Sequence, residues 1–294
     1  MRWCARCRDP ELRRRHGLRD PLALPAGLEA ALAGAPERTT LAKPGGHGLP
    51  AADATPARLH VFDPASQCAP TCPAFRGVRL YPDALARDEA DSLLEQIEAR
   101  PFTPSQSGKL KQHFGARFNF MRRRMNAERF AGLPAYASGL EHRLRTLVAA
   151  DRTGDPGSLA DARRALENYQ TTDVFVLRYL EHEQSNLDFH VDDCFAYGEA
   201  IVDLSLDSDS VLSFLGPARP ERGEPGLECV RVPLPARSLA LVYGPARFEW
   251  QHAILPRDIR GVRTSITLRT LAETLRETDA GRALLARASG PAID

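Results

Sequence analysis

The chain has 294 residues, 43% hydrophobic and 26% charged, with a formal net charge of +1, enough apolar material for one large domain or two small ones. A near-neutral balance argues against a protein whose whole surface seeks nucleic acid, so partners must be sought in local patches. No run approaches the roughly 18 apolar residues of a membrane span, the opening MRWCARCRDPELRRR lacks a signal peptide's apolar stretch, and six cysteines are too few for a disulfide scaffold in a chain this long. The expected setting is cytoplasm and nucleus, without a membrane partner and with thiols kept reduced or bound to metal.

In chain order, residues 1–75 hold ten of the 23 prolines and only three aromatics, Trp3, Phe62 and Phe75. That apolar content is too small to offset the entropy of ordering them, and the reading is a largely flexible extension. Its Cys4, Cys7, Cys68 and Cys72 make a CxxC and a CxxxC, four thiolates able to hold a structural zinc ion though widely spaced.

The folded domain is expected from residue 76 to 275. GVRLYPDAL reads as a strand and turn, and Leu85 to Glu98 as an amphipathic helix with Ala90, Leu93, Leu94 and Ile97 on one face. Further helices are expected over Pro134–Ala149 and Ser158–Glu167. The period then switches: DVFVLRYL, AIVDLSLD, SVLSFLG, LECVRVPL, SLALVYG, FEWQHAI and VRTSITLRT are short β-type runs separated by Gly, Pro and Asp. Helices followed by seven or eight strands predict an α+β fold, a double-stranded β-helix (jelly roll) with supporting N-terminal helices. Residues 276–294 read as a C-terminal helix and tail.

Within NLDFHVDD, His190 and Asp192 sit two apart in a strand pattern, so both leave the same face. FEWQHAI offers His252 as a third donor. Two imidazoles and a carboxylate form the facial triad of non-haem iron oxygenases, which leaves positions open for cosubstrate and dioxygen; zinc accepts the same ligand types. In VRTSITLRT, Arg263, Ser265, Thr267 and Arg269 face one way, and two guanidiniums beside a metal call for compensating anions. A dicarboxylate such as 2-oxoglutarate, one end on iron and the other in a bidentate Arg fork, supplies them, with Tyr179 placed to add a hydroxyl. Asp193, next to the triad, is a candidate for positioning a ligand or for stabilising a turn.

These segments, with TPSQSGKLKQHFGARFNF, FAGLP and VPLPARSLALVYGPARFEWQHAI in the same order, resemble the AlkB family of dioxygenases, and within it the branch of the fourth animal homologue, over roughly residues 76–275. The resemblance implies that iron is held by His190, Asp192 and His252 and 2-oxoglutarate by Tyr179, Arg263 and Arg269. The asparagine that many relatives place two residues before the tyrosine is Leu177 here. It further implies oxidative removal of an N-methyl group with O2, releasing formaldehyde, succinate and CO2, from monomethyl-lysine of a protein such as actin or from N6-methyladenine in DNA.

From Gly108 to Arg129 the chain has seven basic residues (Lys109, Lys111, Arg117, Arg122, Arg123, Arg124, Arg129) and one acid, with Phe114, Phe118 and Phe120 interleaved. In AlkB relatives this region resembles a lid, here expected over about 101–131. Lys109, Lys111, Phe118 and Asp193 are the candidate contacts to an acidic macromolecular substrate, DNA or an actin-like protein. A hydroxylase with a stable product and a catalytically weak binding or adaptor protein remain as alternatives. The expected oligomeric state is a monomer.

Overall fold

The computed structural model describes residues 57–120, 122–217 and 227–293. Its elements run β1 (Ala57–Val61), β2 (Val78–Tyr81), α1 (Arg87–Glu98), β3 (Thr103–Pro104), β4 (Leu110–Phe114), β5 (Arg117–Asn119), β6 (Arg124–Asn126), α2 (Tyr136–Ala150) and α3 (Pro156–Ala165). After these come β7 (Asp173–Leu180), β8 (Leu187–His190), β9 (Tyr197–Leu206), β10 (Ser210–Pro217), β11 (Leu227–Leu234), β12 (Leu239–Val242), α4 (Gly244–Phe248), β13 (Gln251–Ile254), β14 (Val262–Leu271), α5 (Glu273–Arg276) and α6 (Asp279–Ala288). The helices begin where their sequences say. Glu89 reaches back to the amide of Ala86 ahead of α1, Asp155 accepts from the Ser158 amide with Pro156 opening α3, and Thr278 accepts from the Gly281 amide at α6.

Two sheets carry the fold, a five-stranded one in the order β1-β11-β10-β13-β8 and a seven-stranded one in the order β2-β12-β9-β14-β7-β4-β3. This is the jelly roll expected from the strand pattern. The larger sheet is buried on both faces. Val174 and Val176 of β7, Val202 and Leu204 of β9 and Ile266 and Leu268 of β14 point to α1 and α2, meeting Leu93, Ile97, Leu140 and Leu144. The opposite face of the same strands looks across to the smaller sheet, where Phe214, Val230, Val232, Trp250 and Ile254 fill one end of the space. Strand alternation therefore sends Arg263, Ser265, Thr267 and Arg269 into the other end of that space.

Four expectations are corrected. Residues 57–75 belong to the fold: β1 pairs parallel with β11, and Phe62 and Phe75 are 2% and 4% exposed, with Phe75 ring centroids 4.9 Å from Phe214 and 5.0 Å from Trp250. The aromatics of this segment are few but all committed to the core; residues 1–56 lie outside the described residues. The basic stretch at 101–131 is not one lid, because β4 pairs with β7 as an internal strand of the large sheet and only β5 and β6 form a separate ribbon. Residues 276–293 are docked rather than a tail, since Leu284 is 1% exposed, the Ile293 amide donates to Leu133 O and Gln170 donates to Leu285 O. FEWQHAI is not one strand; Pro245 opens the short α4, and β13 starts only at Gln251.

Candidate active site

β8 ends on His190, and β13 pairs with it antiparallel so that His252 lies opposite His190, with ring centroids 4.4 Å apart. Asp192 follows just past the end of β8. Its backbone carbonyl accepts from Arg247 Nη1 at 2.8 Å, while the same buried guanidinium donates to the carbonyls of Tyr197 and Gly198. One side chain of α4 thus pins the whole loop that carries the carboxylate. Asp192 Oδ1 lies 3.9 Å from His190 Nε2 and Oδ2 lies 3.8 Å from His252 Nε2, and one ligand atom from each residue falls within 4.8 Å of the others.

The protonation states suit a metal. His190 Nδ1 donates to Asp188 O at 2.7 Å, and because a carbonyl can only accept, the Nε2 lone pair faces Asp192. Burial keeps the His252 ring neutral, its pKa brought down to about 3, and lowers that of His190 as well. Burial alone would push the Asp192 carboxyl up, but Arg269 and the two imidazoles hold it well below the usual carboxylate range. Two neutral imidazoles and one ionised carboxylate, with no sulfur among the three donors, are the set that Fe(II) takes while keeping positions open. The residues fit the metal.

A cleft of about 1320 Å³ opens over these three residues, and Tyr179, Asp203, Arg263, Ser265, Thr267 and Arg269 line it. The two arginines do not form a single fork. Arg263 sits against Tyr179, its guanidinium carbon 5.2 Å from the ring centroid, whereas Arg269 Nη2 is 3.3 Å from Asp192 and Nη1 is 3.5 Å from Asp173. Six residues of extended strand separate them by roughly 20 Å along the backbone, so one guanidinium serves the metal end of the cleft and the other its far end. The argument that both arginines lack anions without a ligand is corrected too: Asp203 pairs with Arg263 at 2.9 Å, and Asp192 and Asp173 pair with Arg269. Tyr179 is 1% exposed, and burial raises its hydroxyl pKa, so it enters the cleft as a neutral hydrogen-bonding group.

The substrate candidates divide. Lys109 is 5% exposed, donates to Asn186 O and lies 5.7 Å from the Tyr179 ring centroid, inside the cleft rather than on its rim. Lys111 lines the cleft, and Phe118 packs between Phe120, Phe195 and Tyr197. Asp193 Oδ1 accepts from the amides of Phe195 and Ala196, the turn-stabilising role.

Of the four thiols considered for zinc, Cys4 and Cys7 lie outside the described residues. Cys68 is exposed with its sulfur 3.3 Å from Ser66 Oγ, while the buried Cys72 gathers instead with His60 and Glu228. His60 is already bonded there, Nδ1 to Thr71 and Nε2 to Glu228, and Glu228 also pairs with Arg58. The four cysteines are therefore not brought together as a set among the described residues.

Sequence reasoning missed Asp203, Asp173 and Arg247. Alternation does reveal Asp203: in IVDLSL it shares a face with Ile201 and Ser205, opposite the core residues Val202 and Leu204. Arg247 carried no signal, since its partners are backbone carbonyls some fifty residues away.

The pattern of the 2OG-Fe(II) oxygenase superfamily matches residues 77–269. The human protein named alpha-ketoglutarate-dependent dioxygenase alkB homolog 4 is 31% identical, the match covering 72% of this chain and 74% of that one, and the mouse protein of the same name is 29% identical over 67% and 68%. A Caenorhabditis elegans protein named DNA N6-methyl adenine demethylase is 28% identical over 68% of this chain and 62% of its own length. The cofactors of such an enzyme are Fe(II), 2-oxoglutarate and O2. With a buried His-Asp-His cluster at the mouth of a jelly roll and these relatives, the chain belongs to the AlkB family of 2-oxoglutarate- and Fe(II)-dependent dioxygenases.

Proposed function

We propose that the chain removes an N-methyl group oxidatively, with N6-methyladenine in nucleic acid as its substrate class. In this reading His190, Asp192 and His252 hold Fe(II), Tyr179 and Arg263 take the distal carboxylate of 2-oxoglutarate, and Arg269 works at the metal end by fixing Asp192. Bound iron and cosubstrate supply the oxidising power that turns O2 and a methyl group into a hydroxymethyl group, which leaves nitrogen as formaldehyde beside succinate and CO2. The protein's own residues orient the reactants and exclude water: Arg247 holds the Asp192 loop, Tyr179 and Lys109 close the interior wall, and Phe118 and Tyr197 roof the metal side.

The observation that carries the substrate choice is the cleft rim, where Lys111, Arg117 and Arg129 stand among Phe118, Phe120 and Phe175. Cations beside aromatic faces suit phosphates and an unstacked base. A methylated lysine would bring its own positive charge to the same rim, which favours it less, although an acidic protein such as actin could meet these cations with its surface. The name of the nematode relative points the same way as the rim. We place the reaction in the cytoplasm and nucleus, which fits the free thiols of Cys68, Cys72, Cys194 and Cys229.

The test is succinate and formaldehyde release by the full chain with Fe(II) and 2-oxoglutarate, offered N6-methyladenine DNA and monomethyl-lysine actin in parallel. Formaldehyde with DNA alone supports the reading, and formaldehyde with actin alone replaces the substrate. Succinate without formaldehyde turns the enzyme into a hydroxylase, and neither product from iron-loaded protein leaves a binding protein. Asp192→Ala should abolish both products while the far-ultraviolet circular dichroism stays as in the wild type; retained turnover would overturn the metal assignment.

A further inference from the structure

Arg263 reaches the cleft already tied to an acid. Its Nη2 donates to Asp203 Oδ2 at 2.9 Å and its Nε to Ser205 Oγ at 3.0 Å, while Thr267 Oγ1 donates to Asp203 Oδ1 at 3.2 Å. Register explains the set: on β9 Asp203 stands opposite Thr267 of β14 and Ser205 opposite Ser265, on the face that looks into the cleft. The neighbour of Asp203 on β12 is Ala240, which brings no charge, so Arg263 and Arg269 of β14 and the Tyr179 hydroxyl of β7 are the titratable or charged groups around it. The contact to Arg263 is through one nitrogen, not the two-toothed pairing that would use up the guanidinium edge.

We propose that Asp203 is a resident carboxylate that orients Arg263 for the cosubstrate and, by its own charge beside the distal carboxylate, sets how tightly and how selectively 2-oxoglutarate binds. The proposal rests on Arg263 as the distal anchor. Two bonds, from Ser205 and Asp203, fix the guanidinium plane and leave N–H groups for an incoming ligand. The same acid places one negative charge where a second arrives, and like charges in a buried site repel over several ångströms. Burial raises the Asp203 carboxyl pKa despite Arg263 and Thr267, which makes proton uptake the way this crowding is relieved. Binding raises that pKa further. Affinity for 2-oxoglutarate is then highest below the free-protein pKa of Asp203, falls as pH rises through the window between the free and bound values, and levels off above it.

The experiment is calorimetric titration of the anaerobic Fe(II)-loaded full chain with 2-oxoglutarate and with 2-oxobutyrate, a 2-oxo acid that lacks the distal carboxylate. Asp203→Asn keeps shape and hydrogen bonding and removes the charge, and should bind 2-oxoglutarate about tenfold more tightly with 2-oxobutyrate unchanged. No tightening, or equal tightening of both acids, overturns the proposal. Arg263→Ala separates the two layers of the argument: if it binds 2-oxoglutarate as well as wild type does, the distal anchor is elsewhere. If it loses that affinity while Asp203→Asn behaves as wild type, only the role of Asp203 falls. Should Asp203→Asn fail to fold, wild-type titrations in buffers of different ionisation enthalpy answer instead. Net proton uptake with 2-oxoglutarate and none with 2-oxobutyrate supports the proposal, and no uptake anywhere between about pH 5 and pH 8 overturns it.

Discussion

Arg231 on the smaller sheet and Arg263 on the larger are each almost wholly buried against an aspartate, yet they are bonded in different ways. Arg231 meets Asp258 with two nitrogens, Nη1 to Oδ2 at 2.7 Å and Nη2 to Oδ1 at 2.8 Å, and Nη1 also donates to Ser213 Oγ at 2.8 Å. Arg263 meets Asp203 with one nitrogen and turns its remaining edge toward the cleft. The first pair is closed on itself and can only join β10, β11 and the turn at Pro256–Asp258. The second leaves donors over, and a buried guanidinium with donors over is a binding site for an anion. Burial and charge are alike in the two pairs, so the number of N–H groups left uncommitted is what distinguishes a brace from a site.

Three substitutions would break or sharpen that contrast. Asp258→Ala should have the largest effect, about 3–5 kcal/mol of folding stability, because it strands a buried guanidinium; denaturant unfolding would show it, with 2-oxoglutarate affinity of the folded fraction unchanged. An equal loss from Asp203→Ala would erase the distinction between brace and site. Arg263→Lys comes next. It keeps the charge beside Asp203 but loses the planar fork, so 2-oxoglutarate binding should weaken about 10- to 100-fold, with stability within about 1 kcal/mol of wild type.

The smallest effect concerns His252, a buried group held without charge. Its pKa is about 3 in the folded protein against the ordinary 6.5, so the unfolded chain takes up the extra proton first. Stability of the metal-free protein should be complete above about pH 6.5 and decline as pH falls, by about 1 kcal/mol near pH 5.5. Thermal unfolding of wild type and His252→Gln across that range would check it, since the variant should lose this part of the slope.

Much of the site was legible because its residues obey local periodicities. The spacing of His190 and Asp192 and the alternation of VRTSITLRT are properties of single strands, and the structure puts those side chains where a period of two sends them. What could not be read was the pairing between strands. That Asp203 answers Arg263 depends on the register of β9 against β14, sixty residues apart, and nothing in either segment states it. For the same reason Leu110–Phe114 passed for a lid: only its pairing with β7 reveals a sheet strand. Phe62 and Phe75 sat in a proline-rich stretch whose composition argued for disorder, and their partners Phe214 and Trp250 come from distant strands.

The parallel addition of β1 to β11 bears on how the chain can be cut. β1 is the outermost strand of its sheet, five residues long, and it covers the main-chain groups of Leu227–Arg231. A chain begun at residue 76 would keep every cofactor ligand, yet it would bare that row of amides and carbonyls along an apolar strand. Such an edge is a template for sticking to other copies of itself. The short strand therefore acts as a guard against aggregation, with the half-exposed Arg58 paired to Glu228 on its rim, and shortening the enzyme from its front would first be felt as insolubility rather than as lost chemistry.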